Sequence, residues 1–202
     1  MAFKVKSYIV SRTADDKGIN NFPGADVGEN EKLTAEYIIG NLENLHNKCI
    51  QPIMNHFNTL PNSSGNSIGV TSVYRCKKLN AAVGGVENSQ HIHGMAADLI
   101  YTEGKSEEVF NWALAKLPAF HQLIWEFPEK GEFSSGNLNS SWIHISYNQD
   151  NNPKIVSLAS DVENLHEWYG KNVEGAERRG IYTHGIDKAE MEASDSFLTD
   201  DI

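Results

Sequence analysis

The 202-residue chain contains no run of 18 apolar residues, so no helical membrane span is expected. Its first ten residues, Met1 to Val10, lack the long apolar core of a secretory signal, so synthesis in a cytoplasm is expected, with any export by another route. Cationic excess is missing too. Seventeen Lys and Arg stand against 27 Asp and Glu, a net charge of −10, and a nucleic-acid binder needs a cationic face. There are two cysteines, Cys49 and Cys76, in no metal-binding spacing; they are read as reduced and buried. No internal repeat is found.

What is present is an ordinary apolar share of 40 %, enough for one core in a chain of this length. Residues 1–30 read as a short, strand-like, Gly/Asn/Asp-rich extension. Thr34 is expected to cap a helix whose apolar positions recur through Leu42, Leu45, Cys49 and Ile53, with Pro52 kinking or ending it. A strand is expected at Ile68–Tyr74, a short helix at 76–83, a strand at Met95–Tyr101 and a helix at 106–117. Two further strands near 122–127 and 142–147 close the sheet, and Ile155 to Trp168 reads as helical. The fold class is α+β, helices on a small antiparallel sheet. A central domain is expected at 31–170, followed by an acidic tail at 171–202. Residues 186–202 carry six acids against Lys188 alone, the composition of a solvated extension that could dock a protein partner.

The chemistry concentrates in Ser89-Gln90-His91-Ile92-His93-Gly94-Met95-Ala96-Ala97-Asp98. A histidine and a carboxylate seven residues apart cannot sit on adjacent turns of one helix, where zinc ligands fall at i and i+4. A turn at Gly94 followed by a strand brings both ends to one point instead. Ala96 and Ala97 leave room for close approach. A second histidine, His144, lies mid-strand in Ser141-Trp142-Ile143-His144-Ile145-Ser146-Tyr147. Two imidazoles and a carboxylate are the donor set of a hydrolytic zinc site, which keeps its fourth position for water. His93 falls outside this pattern and reads as peripheral.

The ordered set Ser89, His91, Gly94, Ala96, Asp98 and a later Trp142-x-His144 resembles the M15 zinc peptidases, D-Ala-D-Ala carboxypeptidases and peptidoglycan endopeptidases that include phage lysins. Upstream, Thr71-Ser72-Val73-Tyr74-Arg75 is similar to the family's Ser-Gly-Tyr-Arg segment, with valine in place of glycine. The resemblance covers roughly residues 30 to 160. It implies zinc held by His91, Asp98 and His144, and a substrate carboxylate held by Arg75 with help from Ser89. Trp142, two positions from His144, would wall the pocket.

The family's usual general base lies three residues before the last zinc histidine. Here that position is Ser141, which cannot take a proton. The nearest substitute is Glu126, in an apolar strand where a carboxylate is costly without a partner or a task. Glu129 and Glu132, in the following loop, are weaker candidates. The expected activity is zinc-dependent hydrolysis of peptide bonds in peptidoglycan stem peptides, by a phage lysin or virion-associated enzyme. The alternative is a non-catalytic phage structural or binding protein that keeps the fold.

Overall fold

Thr34 opens the principal helix as its sequence requires, its hydroxyl accepting a hydrogen bond from the Tyr37 amide at 3.2 Å. The computed structural model describes residues 2–26, 32–58, 67–102, 104–126 and 140–149, and the backbone alone of 166–171 and 177–184. Helix α1 is Arg12–Lys17 and helix α2 is Ala35–Leu45, which buries Ile38, Leu42 and Leu45 at helical spacing. A π turn at His46–Ile50 leads directly into α3, Gln51–Phe57. The helical path therefore runs past Pro52 and does not end there. Proline collides with the carbonyl four residues back in a regular helix, and the wider π turn just before it relieves that conflict.

Helix α4 is Lys77–Ala82, and α5 is Ser106–Lys116, with Val109, Phe110, Ala113 and Leu114 buried. The strands are β1 Ser67–Ser72, β2 Ala96–Thr102, β3 Gln122–Glu126, β4 Trp142–Ser146, β5 His166–Lys171 and β6 Glu177–His184. They form one antiparallel sheet in the order β1-β2-β4-β3-β6-β5. This is the α+β architecture. The sheet does not close at β3 and β4 as expected, because β6 pairs along β3. The expected helix from Ile155 to Trp168 is strand at its end, since residues 166–168 open β5; residues 155–165 lie outside the described residues. The stretch assigned to an acidic tail contains β6, and residues 185–202, which hold six of its eight acids, lie outside the described residues.

Strand alternation sorts the sheet into two faces. Leu99 pairs with Ile143, and Ala97 with Ile145, which also faces Leu123 on β3. These side chains join Ile38, Leu42, Ile53, Phe57 and Phe110 in one buried cluster, the core. Asp98 and Ile124 each lie opposite His144, one on either side, and the three take the other face.

Residues 2–26 are not strand-like. They form a 3₁₀ turn at Val5–Ser7 and then α1, capped by Ser11 Oγ at its start and by Gly18, with φ of 63°, at its end. Tyr8 and Ala14 belong to the core cluster, and the Tyr8 hydroxyl pairs with His46 Nδ1 at 2.5 Å. Both cysteines are free and buried, as expected. Among the described residues no helix is long and apolar enough to cross a membrane.

Candidate metal centre and active site

The centre is built by one strand pair and one turn. Asp98 on β2 and His144 on β4 are direct partners in the ladder, which sets their side chains next to each other. These are interior strands of the sheet, so the cluster lies on its face. His91 arrives from the turn before β2, closed by amide donations from Ile92 to Ser89 O at 3.0 Å and from Gly94 to His91 O at 3.2 Å. Gly94 is required twice over. Its φ is 70°, and a Cβ there would meet Ile38 O at 2.8 Å, so only glycine lets the turn rest on α2.

His144 Nδ1 lies 3.1 Å and His91 Nε2 lies 3.4 Å from the same oxygen, Asp98 Oδ1. All three donors fall within 4.8 Å of one another. Tetrahedral zinc with bonds near 2.0–2.1 Å separates its ligand atoms by about 3.3 Å, so the two measured edges suit a common ion. The chemistry of the set also fits. His91 Nδ1 is engaged by the Val73 carbonyl at 2.6 Å, which holds its proton there and leaves Nε2 facing the carboxylate with a lone pair. His144 Nε2 is buried and makes no hydrogen bond, so this ring has one nitrogen toward Asp98 and no competing partner on the other.

Burial pushes the His91 pKa down to about 4, with the charges of Arg75 and His144 adding to the effect and Asp98 opposing it. The ring is thus neutral at pH 7, the form that binds metal. Asp98 behaves oppositely. Burial alone would raise its carboxyl, but below about pH 4, where the His91 ring takes up its second proton, that ring's charge and hydrogen bonds from both imidazoles hold it well below the usual range.

Arg75 Nη2 sits 3.7 Å from Asp98 Oδ2, and both side chains are largely buried. Ser89 is buried, and its Oγ accepts from the His91 amide at 3.4 Å, so it shapes the turn. Glu126 is 5 % exposed and pairs across the ladder with Trp142. Alternation from Ile124, the partner of His144, puts Glu126 and Trp142 on the His144 face. Ser141 is fully buried and donates to Ser106 Oγ at 3.1 Å, at the start of α5, so it serves the helix side of the sheet. Glu129 and Glu132 lie outside the described residues. His93 contacts the Tyr37 ring edge-on, apart from the cluster.

Two supports were not anticipated. His121, at the foot of β3, is buried, pairs with Gln90 at 3.0 Å and feels the charge of His144; burial first, and then that charge, push its pKa down to about 4. A histidine directly before an apolar strand was the available signal. The second is Asn21. Its Nδ2 donates to Ile9 O at 2.9 Å and Tyr74 O at 3.0 Å, while its Oδ1 accepts from the Cys76 amide at 2.8 Å. It therefore clasps the segment that presents the Val73 carbonyl to His91 and Arg75 to Asp98. Asn21→Ala removes all three bonds. Zinc affinity, read by chelator competition on protein confirmed folded by circular dichroism, is expected to fall about 10- to 100-fold, as for outer-shell partners generally. An unchanged affinity would show that the clasp does not reach the ligands.

The two depressed histidines also set an acid sensitivity. Unfolded, each ring takes up a proton near pH 6.5; folded, His91 and His121 do so only near 4. The unfolded chain binds more protons throughout that interval, so stability declines as pH falls through it, by about 3 kcal/mol per ring at the limit. Denaturant melts of metal-free protein between pH 7 and 4 should show this loss, and zinc should oppose it at the upper end.

Two imidazoles and one carboxylate converge on the face of an α+β sheet, a donor set that could hold one metal ion. Residues 29–126 match the family model described as Peptidase M15, so this segment is similar to the M15 peptidases. That segment includes Arg75, Ser89, His91, Asp98 and Glu126, and ends before Trp142 and His144. No curated protein and no solved structure matches the chain.

Proposed function

We propose that the protein is a zinc-dependent peptidase that hydrolyses peptide bonds in peptidoglycan stem peptides, acting as a phage lysin or virion-associated enzyme. The observation that carries this reading is the shared approach of His91 and His144 to Asp98 at 3.4 and 3.1 Å, in a chain whose residues 29–126 match the M15 family model. His91, Asp98 and His144 would hold the ion. Zinc bound there supplies a Lewis acid and makes hydroxide available near neutral pH.

The chain's own groups account for the remaining needs. Arg75, fixed beside Asp98, offers a guanidinium fork for the substrate's carboxylate. Trp142 walls the same face, and Ser89 holds the His91 turn in shape. Glu126 accepts the proton released by the attacking water and returns it to the departing amine. A carboxylate 5 % exposed at the end of an apolar strand suits a proton carrier.

The test combines elemental analysis with purified peptidoglycan. About one zinc per chain and new free amino termini are expected, and mass spectrometry of the fragments identifies the bond. Zinc without new amino termini would favour the non-catalytic virion protein instead.

A further inference from the structure

A cleft of about 490 Å³ opens beside the metal cluster, and one of its walls precedes the segment that matches the M15 family model. Asp98 and Arg75 stand at one part of its lining. Ser7 to Thr13, the turn into α1, form the near wall, and Val70 to Val73 form the far one. That far wall is a sheet margin, since β1 pairs only with β2 among the described residues. The near wall is anchored, because the Tyr74 amide donates to Tyr8 O at 3.0 Å and Asn21 ties Ile9 to Tyr74.

The lining has a charge opposite to that of the chain. In a protein of net charge −10, this cleft holds two guanidiniums, Arg12 and Arg75, and one carboxylate, Asp98, already committed to the imidazoles. Arg12 is 94 % exposed and pairs with Asp16 at 3.7 Å, a solvent-screened pair easily exchanged for another anion. Val10 and Val83, at 74 % and 44 % exposure, also line the cleft and offer apolar contact to small side chains.

We infer that this cleft is a subsite for an extended acidic peptide, in which Arg12 reads a second carboxylate of the substrate while Arg75 holds the first. The inference rests on the peptidase reading above and adds a specificity-determining residue from outside the matched family segment. An extended backbone can add along the free margin of β1, a recurrent mode of peptide capture. Its small side chains then meet Val10 and Val83, and the chain leads toward Asp98.

The test uses a synthetic stem pentapeptide with a free glutamyl carboxylate and the same peptide amidated at that group. Affinities are measured calorimetrically on zinc-loaded protein carrying Glu126→Gln, with and without Arg12→Glu. The free-carboxylate peptide should bind about fivefold more tightly than the amidated one, and Arg12→Glu should bring that ratio to about one or below. Because Arg12 is almost wholly solvated, its replacement leaves the fold intact. A ratio that survives Arg12→Glu, or no binding of either peptide at millimolar concentration, overturns the subsite. Charge-selective binding by a wild-type protein that releases no amino termini from peptidoglycan keeps the subsite and removes the hydrolytic reading.

Discussion

His144→Ala is expected to abolish both metal binding and hydrolysis while leaving a folded protein. His144 shares Asp98 Oδ1 with His91, and its removal leaves two donors, too few for a hydrolytic zinc site. Zinc content should drop from about one per chain to below about a tenth after dialysis. Peptide hydrolysis should fall by on the order of 10³-fold or more, the rate equivalent of the several kcal/mol a Lewis acid supplies. The fold should persist because the core lies on the opposite sheet face, among Ala97, Leu99, Ile143 and Ile145. Melting of the metal-free variant beside metal-free wild type separates the two effects. Stoichiometric zinc in His144→Ala would show that these three residues do not form the metal centre.

Much of this centre was legible before any coordinates. The seven-residue step from His91 to Asp98 excludes a single helical face, and Gly94 announces the turn that closes it. Alternation in Trp142-Ile143-His144-Ile145 separates the histidine from the core, and the pairing of Asp98 with His144 confirms that sorting. The supports were hidden for a physical reason. Val73 holds His91 through a backbone carbonyl, which no side-chain pattern reveals, and Asn21 acts on Tyr74 and Cys76 across more than 50 residues. Helix α1 escaped because it buries a single residue, Ala14, so its apolar periodicity is absent; Ser11 and Gly18 were its only signals.

Ser141 shows how a family position can mislead. Spacing alone marks it as the place for a general base, yet its hydroxyl is spent on Ser106 beneath α5. A carboxylate there would be buried against the helix side of the sheet, at a desolvation cost. On the proposed peptidase reading, proton transfer would then come from another element that shares the His144 face. Within the described part of the sheet, β3 supplies one such acid.

That acid is Glu126, and Glu126→Gln is the sharpest test of the mechanism. The substitution keeps size and polarity but removes the ability to carry a proton, so kcat should fall by about 10²- to 10⁴-fold. Zinc content should hold near wild type, because Glu126 is outside the set of three converging donors. KM should change little if the residue acts only in the transition state, so kcat and kcat/KM should fall together. Its buried position opposite Trp142 makes amide for carboxylate a mild replacement, and thermal melts provide the control. The pH profile carries further information: a base that must be ionised gives an acid limb to kcat, and that limb should vanish in the residual activity of Glu126→Gln. Full activity in a zinc-replete Glu126→Gln protein would move the base to another group while leaving the metal centre in place. A loss of zinc alongside activity would instead make Glu126 a support for the ligands.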